Sequence, residues 1–265
     1  MKLILISIAA LGIAGFTLNK TGVFSGRSSK PATTSLMNST NADAKTSNAK
    51  GFAVVELFTS EGCSSCPSAD ALLGKLAAEK KEHVYVLSYH VDYWDRLGWK
   101  DAFSKPQWTA RQRAYVNQFR LESAYTPQAV INGREEFVGS NNLQLYTSVD
   151  KELNESEGGQ LKVTAVAKEG KISVGYDASP SANVTVNLAL VQLKTTTEVK
   201  RGENGGRHLE HTNVVRELAT VNPSDRSEIS FTPPGNFNAS EYKIIAFVQY
   251  KRDLKITAAT EAIIQ

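Results

Sequence analysis

Two cysteines, Cys63 and Cys66, stand between a strand pattern and a helix pattern in VVELFTSEGCSSCPSADALL (residues 54–73). No other feature constrains the fold as much. Phe52–Phe58 is a short β-branched and aromatic run bounded by turn residues, Leu72, Leu73, Leu76 and Ala77 recur at helical spacing, and HVYVLSYHV (83–91) is again strand-like. Strand, helix and strand in that order make a β-α-β unit, with the two strands parallel and the helix crossing over between them. Both cysteines then fall at the carboxyl edge of the first strand.

The pattern continues through an aromatic loop, DYWDRLGWKDAFS, to a helix from about Pro106 to Phe119, where proline suits the first turn. TPQAVING followed by REEFVGS reads as a strand, a tight Asn-Gly turn and a returning strand. A helix over Asn142–Leu153 follows, and the turn-rich NESEGGQ marks a boundary. Beyond it the period changes to two: Val184, Val186, Leu188 and Leu190 alternate with Asn183, Thr185, Asn187 and Ala189. Runs at 161–167, 171–177, 183–193, 213–219, 227–231, 242–251 and 254–263 predict about seven strands, the number expected of a small sandwich. The folded part therefore divides into an α/β domain over 51–155 and an all-β, sandwich-like domain over 160–265.

The chain opens MKLILISIAALGIAGFTLNK, one Lys before an uncharged, mostly apolar run from Leu3 to Leu18. That run is short for a bilayer span of about 20 residues, so residues 1–18 read as a signal peptide or a retained N-terminal anchor. The remainder is expected to be secreted or periplasmic, with the membrane reached only through that anchor. Residues 19–50 are too poor in large apolar groups to offset the entropy of ordering them and read as a disordered linker. The formal charge of +3 comes from this region: Lys2, Lys20, Arg27, Lys30, Lys45 and Lys50 against Asp43 leave 24 basic and 26 acidic residues beyond position 50. That balance offers no basic face for a nucleic acid.

Two cysteines in an exported chain of this length do not form a disulfide-stapled scaffold. Their spacing supports three readings. In the first, Cys63 lies at the helix N-terminus, where unpaired N–H groups and the positive end of the dipole stabilise a thiolate. Cys63 is then the nucleophile, Cys66 attacks the mixed disulfide as the resolving thiol, and Ser64 and Ser65 tune the couple. This chemistry requires a Cys63 sulfur that another protein can reach, and no cofactor beyond the disulfide. In the second reading, His90 near the end of the second strand joins Cys63 and Cys66 in a soft-metal site, copper being the natural occupant, in a binding or carrier protein. In the third, the cysteines form an inert local bond in a secreted, non-catalytic interaction module, although so short a loop removes little chain entropy.

Trp94, with Tyr93, Trp99 and Trp108, either lines a substrate groove or packs the long loop onto the domain. RGENGGRHLEHTNVVREL (201–218) has glycines for a tight loop, and Arg201, Asn204, Arg207 and His211 are assigned to a partner or interdomain contact beside the cysteines. In a β pattern His208 and His211, three apart, point to opposite sides, which disfavours metal binding there. The segment lacks the Gly-Lys-Ser/Thr ending of a Walker loop.

A strand, CxxC, a helix and a Thr-Pro step before a strand ending in Asn-Gly resembles the thioredoxin superfamily. That resemblance implies that Thr126-Pro127 is a cis-proline step offering backbone groups to a bound peptide. It also implies that Glu56 is a buried acid shuttling a proton from the resolving cysteine, although Glu56 lies seven residues before Cys63 where the superfamily has six. ELFTSEGCSSCPSAD, HVDYWDRLGWKDAFS, RQRAYV, TPQAVING and the 201–218 segment together resemble a family of uncharacterised secreted bacterial proteins, a domain of unknown function with an N-terminal thioredoxin-like domain. The resemblance spans residues 52–265. It implies an α/β, thioredoxin-like domain followed by the β-sandwich, and an exported thiol–disulfide oxidoreductase acting on protein thiols or disulfides with a separate redox partner.

Overall fold

The computed structural model describes residues 51–79, 81–155, 159–179, 181–223 and 227–265. The leader and linker expected over 1–18 and 19–50 lie outside the described residues. β1 (Ala53–Thr59), α1 (Cys66–Ala78) and β2 (Val84–His90) form the expected β-α-β unit, with β1 and β2 parallel from Ala53 beside Val84 to Thr59 beside His90. Every residue of β1 is buried, which is why the strand is apolar apart from Glu56 and the closing Thr59. Its period of two still sorts the side chains. Val55 and Leu57 join Ala69, Leu73 and Leu76 of α1, whereas Val54 and Phe58 join Tyr89, Trp108 and Tyr115 on the other face.

α2 (Pro106–Phe119) starts on its proline and is closed by Arg120 in the left-handed region at φ 58°. β3 (Gln128–Ile131) pairs antiparallel with β1 and with β4 (Glu135–Val138). The three residues Asn132–Arg134 join β3 to β4, with Asn132 and Gly133 at φ 48° and 62°, both left-handed, as the central pair of a type I′ turn demands. Gly133 has a second reason to be glycine: a Cβ there would lie 2.0 Å from the carbonyl oxygen of Leu254. The Asn132 side chain ties the turn down. Its Oδ1 accepts from the Val54 N–H at 2.7 Å, and its Nδ2 donates to Phe52 O and to Glu152 in α3 (Asn142–Glu155).

β5 (Leu161–Lys168), β6 (Lys171–Ala178) and β9 (Ser227–Phe231) make an antiparallel three-stranded sheet, in the order β5-β6-β9. β7 (Val184–Glu198), β8 (His208–Val221), β10 (Tyr242–Tyr250) and β11 (Ile256–Ile263) join the first strands in one eight-stranded mixed sheet, ordered β11-β10-β7-β8-β2-β1-β3-β4. Both stretches of the chain thus share a sheet. The seam is the parallel contact of β2 with β8, where Ser88 pairs with Val214. Next to it Asn213, left-handed at φ 51°, donates from its side chain to Val86 O, a side-chain substitute for a ladder bond.

One face of the large sheet carries a core that runs across the seam, from Phe52, Leu87 and Trp108 to Val191, Ile245 and Phe247. The opposite face is divided. α1 and α3 cover β1, and the three-stranded sheet covers β7 and β10 through Val163, Ile172, Val174, Val186, Leu188 and Ile244. The fold is mixed α/β, mostly sheet, with three α-helices among the described residues. None of those helices is long and apolar enough to cross a membrane.

Candidate functional site

The connection from β1 to α1 holds the cysteines. After Thr59 the chain turns so that Cys63 N–H reaches Ser60 O (3.2 Å) and Gly62 N–H reaches Ser60 Oγ (3.1 Å). A second turn brings Cys66 N–H to Cys63 O (3.2 Å), and α1 begins at Cys66 with Ser65 as its N-cap. Cys63 therefore stands one turn before the helix rather than in it, and Cys63 and Cys66 are joined in a disulfide.

Around the disulfide the structure collects most of the residues singled out in the sequence. The Thr126-Pro127 peptide is cis, and Thr126 O lies 3.8 Å from Cys63 Sγ. Trp94 is half-buried; its indole N–H donates to Thr126 Oγ1 (2.8 Å), and its Cβ is where a methyl on Gly62 would press. From the β7–β8 hairpin, the buried Asn204 donates from Nδ2 to Glu61 O and Cys63 O, both at 2.9 Å, while Arg207 Nη1 donates to Asn204 Oδ1. His211 is buried with Nε2 3.2 Å from Glu61 Oε1, whereas His208 is exposed beside Glu198, as their odd separation in a strand requires. Arg201 is exposed in the same loop.

Three expectations are corrected. First, the Cys63 sulfur was expected to be open to another protein. Cys63 is only 1% exposed and Cys66 0%, with Thr126 O beside the Cys63 sulfur and Asn204 bonded to the Cys63 carbonyl. Ser64 and Ser65 remain exposed. Second, β7 and β8 extend well past 193 and before 213, their outer arms being carried by the β-forming Thr195, Thr196 and Thr197, and the loop between them reaches the cysteine turn through Asn204 and Glu203. Third, Glu56 is not beside Cys66. It points to the α2 face of β1, where Arg111 Nε and Nη2 both bond its carboxylate and Tyr115 Oη donates to it.

Buried beneath the disulfide is a polar network that the sequence reading did not assemble. Asp101 Oδ2 accepts from the Glu61 N–H (2.9 Å) and lies 2.7 Å from His90 Nδ1; Trp99 Nε1 donates to Glu61 Oε2 (2.7 Å); the His90 and His211 rings meet edge to face at 4.8 Å. Asp70, one helical turn after Cys66, accepts from Thr59 Oγ1 at 3.1 Å. Burial pulls the His90 imidazole down, but the charge and hydrogen bond of Asp101 outweigh it and hold it above its ordinary value. The same pair, with the N–H groups of Glu61 and Phe103, overcomes the burial of Asp101 and keeps its carboxyl low. His90 is thereby committed to Asp101. Among the described residues no group of three His, Cys, Asp or Glu side chains is arranged to hold a metal ion. The available signal was the charge inside the motifs themselves: Glu61 two residues before Cys63, and Asp70 four after Cys66.

Burial pushes the Asp70 carboxyl up, and the nearby His211 and His90 pull it back only in part. The fold therefore favours neutral Asp70, and that stabilisation is present below the unfolded carboxylate range and lost as pH rises through the raised value. Asp70→Asn, which keeps the acceptor for Thr59, is expected to melt a few degrees above the parent near pH ~8, with the gap closing towards pH ~4. Thermal melts across that range check this; a variant that melts lower at the alkaline end contradicts it.

The chain belongs to the family of proteins of unknown function designated DUF1223, which it matches over residues 54–249. It is similar to a crystal structure of protein AGR_C_4864 from Agrobacterium tumefaciens at 28% identity, covering 80% of this chain and 93% of that one, with a TM-score of 0.62. It also shares its fold with HBP35 of Porphyromonas gingivalis, at 16% identity over 82% of this chain and 76% of the other, with a TM-score of 0.59. No curated protein matches it.

Proposed function

We propose that the protein is an exported thiol–disulfide oxidoreductase that exchanges electrons with protein thiols or disulfides through Cys63 and Cys66. The observation that carries this reading is the disulfide at the carboxyl edge of β1, one turn before α1, with the Thr126 carbonyl 3.8 Å from Cys63 Sγ. On this reading residues 51–155 are a thioredoxin-like domain and 160–265 a sandwich-like domain that controls it. When the disulfide is reduced, Cys63 faces the α1 N-terminus, whose free N–H groups favour the thiolate, and Cys66 is the resolving group. On this reading Thr126 presents backbone to an extended peptide, Pro127, buried with its carbonyl accepting from Gly139 N–H, fixes the cis step, and Trp94 holds that step through its bond to Thr126. The apolar N-terminal run supports export to a secreted or periplasmic location, where such chemistry has disulfide substrates.

The direction of electron flow follows from the couple's potential, since CxxC proteins span roughly −270 to −120 mV. The test is turnover. At substoichiometric amounts the protein is expected to accelerate either the reduction of insulin disulfides by dithiothreitol or the oxidation of a reduced, unfolded test protein. Failure to accelerate both beyond the free reagents rejects the reading.

A further inference from the structure

The Cys63–Cys66 turn is held from outside its own stretch of chain. Asn204 lies 141 residues beyond Cys63 and is 0% exposed, although Glu203, Gly205 and Gly206 around it are all exposed. Its Nδ2 has two protons and spends both on the turn, one on Glu61 O and one on Cys63 O, while its Oδ1 is occupied by Arg207. Beside it Glu203 accepts the Ser64 N–H at 3.0 Å, an exposed bond that water can replace. The turn surface at Ser64 and Ser65 is open, yet both sulfurs are sealed.

The loop that delivers Asn204 is built to hold its own shape. Val199 N–H bonds Arg207 O, Gly206 N–H bonds Val199 O at 2.8 Å, and Gly205 N–H bonds Gly202 O, with Gly202 and Gly206 left-handed at φ 78° and 83°. These bonds lie within residues 199–207, so the tip can leave the cysteines as a unit, hinged on the outer arms of β7 and β8.

Resting on the redox reading above, we propose that the loop Val199–Arg207 is a latch: exchange at Cys63 proceeds from a conformation in which Asn204 and Glu203 have released the turn. The hairpin then sets how fast this disulfide meets a thiol. In the open form a thiolate of the incoming dithiol attacks Cys63 Sγ, the bond to Cys66 breaks and Cys66 leaves as a thiolate. The second thiolate of the reagent attacks its own sulfur in the mixed disulfide and releases Cys63. Two electrons pass from the dithiol to the protein, the reagent leaves as a disulfide, and its two protons go to the cysteines or to solvent.

The test uses dithiothreitol as the probe on the oxidised protein, with alkylation and mass measurement to follow the free thiols. Asn204→Asp keeps the size but cannot donate to the two carbonyls. It is expected to speed reduction at fixed dithiothreitol by on the order of ten-fold or more, the factor that the loss of two neutral hydrogen bonds implies. Glu203→Ala, at an exposed position, removes the acceptor for the Ser64 N–H and is expected to give a smaller increase of the same sign. Val163→Ala in β5, remote from the loop, is the control for general loosening. The latch is overturned if both loop variants react within two-fold of the parent, or if Val163→Ala speeds reduction as much as Asn204→Asp. Because the reductant is a small molecule, this outcome is read independently of turnover on protein substrates. Latch kinetics without such turnover would sink the proposed function and leave the latch standing.

Discussion

Replacing Arg111 by methionine is expected to cost about 3–5 kcal/mol of stability, the loss typical when one partner of a buried ion pair is removed and the other charge stays behind. Glu56 is fully buried and its carboxylate is bonded twice by the Arg111 guanidinium and once by Tyr115, which itself accepts from Gln249 of β10. The guanidinium is stacked among aromatic rings, with centroids 5.6 Å away at Tyr89, 5.4 Å at Tyr115 and 5.2 Å at Phe247. Arg111 stands on α2, Glu56 on β1 and Phe247 on β10, so this cluster joins elements from both stretches of the chain. Adding Glu56→Gln to the methionine variant removes the stranded charge and is expected to recover a large part of the loss. Urea unfolding of the parent, the single and the double variant measures it. A single-variant loss below about 1 kcal/mol would show that the pair contributes little.

The same geometry separates two roles for Glu56. A proton shuttle to Cys66 would require its carboxylate on the α1 side of β1, and the structure holds it on the α2 side. Glu56→Gln is therefore expected to lower stability while leaving the pH dependence of disulfide reduction as in the parent. Asp70, in the same helix as Cys66 and one turn on, is an acid on the cysteine side of the sheet, with Glu61 and Asp101 in the network beneath the disulfide.

Where chain-local physics decides, the sequence was legible. Pro106 and the 3–4 spacing of Trp108, Gln112 and Tyr115 define α2, the alternation from Val184 to Leu190 defines β7, and Asn132-Gly133 defines the hairpin that follows β3. An acid in an apolar strand announces burial but not its face. Which side of β1 Glu56 takes depends on a partner 55 residues away. The outer arms of β7 and β8 leave little signal because Lys194, Glu198 and Glu210 carry charge, and His208 is polar, in a stretch whose strand character comes from pairing with each other. Most of all, the burial of Cys63 is a long-range fact. The contact of Asn204 was expected beside the cysteines, but the seam between Ser88 and Val214 and the bridge from Asn213 to Val86 that bring the two stretches together leave no local pattern. Of the four residues of 201–218 assigned to a contact beside the cysteines, Asn204 bonds the cysteine turn directly, Arg207 braces Asn204 and His211 meets Glu61, while Arg201 is exposed.

Replacing the cysteines one at a time is expected to separate attack from resolution and both from stapling. A four-residue loop contributes only about 2 kcal/mol of chain-entropy stabilisation, so Cys63→Ser and Cys66→Ser are both expected to fold, with similar and modest losses. If the disulfide were merely a staple, their consequences would end there and would be equal. Exchange makes them unequal. Cys66→Ser leaves the Cys63 thiol at the α1 N-terminus without a resolving partner, so its thiolate attacks a substrate disulfide, one substrate sulfur leaves as a thiolate, and the mixed disulfide with the other persists. Cys63→Ser leaves only Cys66, inside the first turn of α1 and outside the turn that Asn204 holds, and is expected to reduce turnover on protein disulfides to background without trapping a partner. Non-reducing mass measurement after incubation with a disulfide-bonded protein reads the difference. Equal behaviour of the two variants would return the pair to the role of a structural bond. Combining Cys66→Ser with Asn204→Asp adds a sharper expectation: trapping speeds up when the latch is removed, because the sulfur that attacks is the one whose carbonyl Asn204 holds.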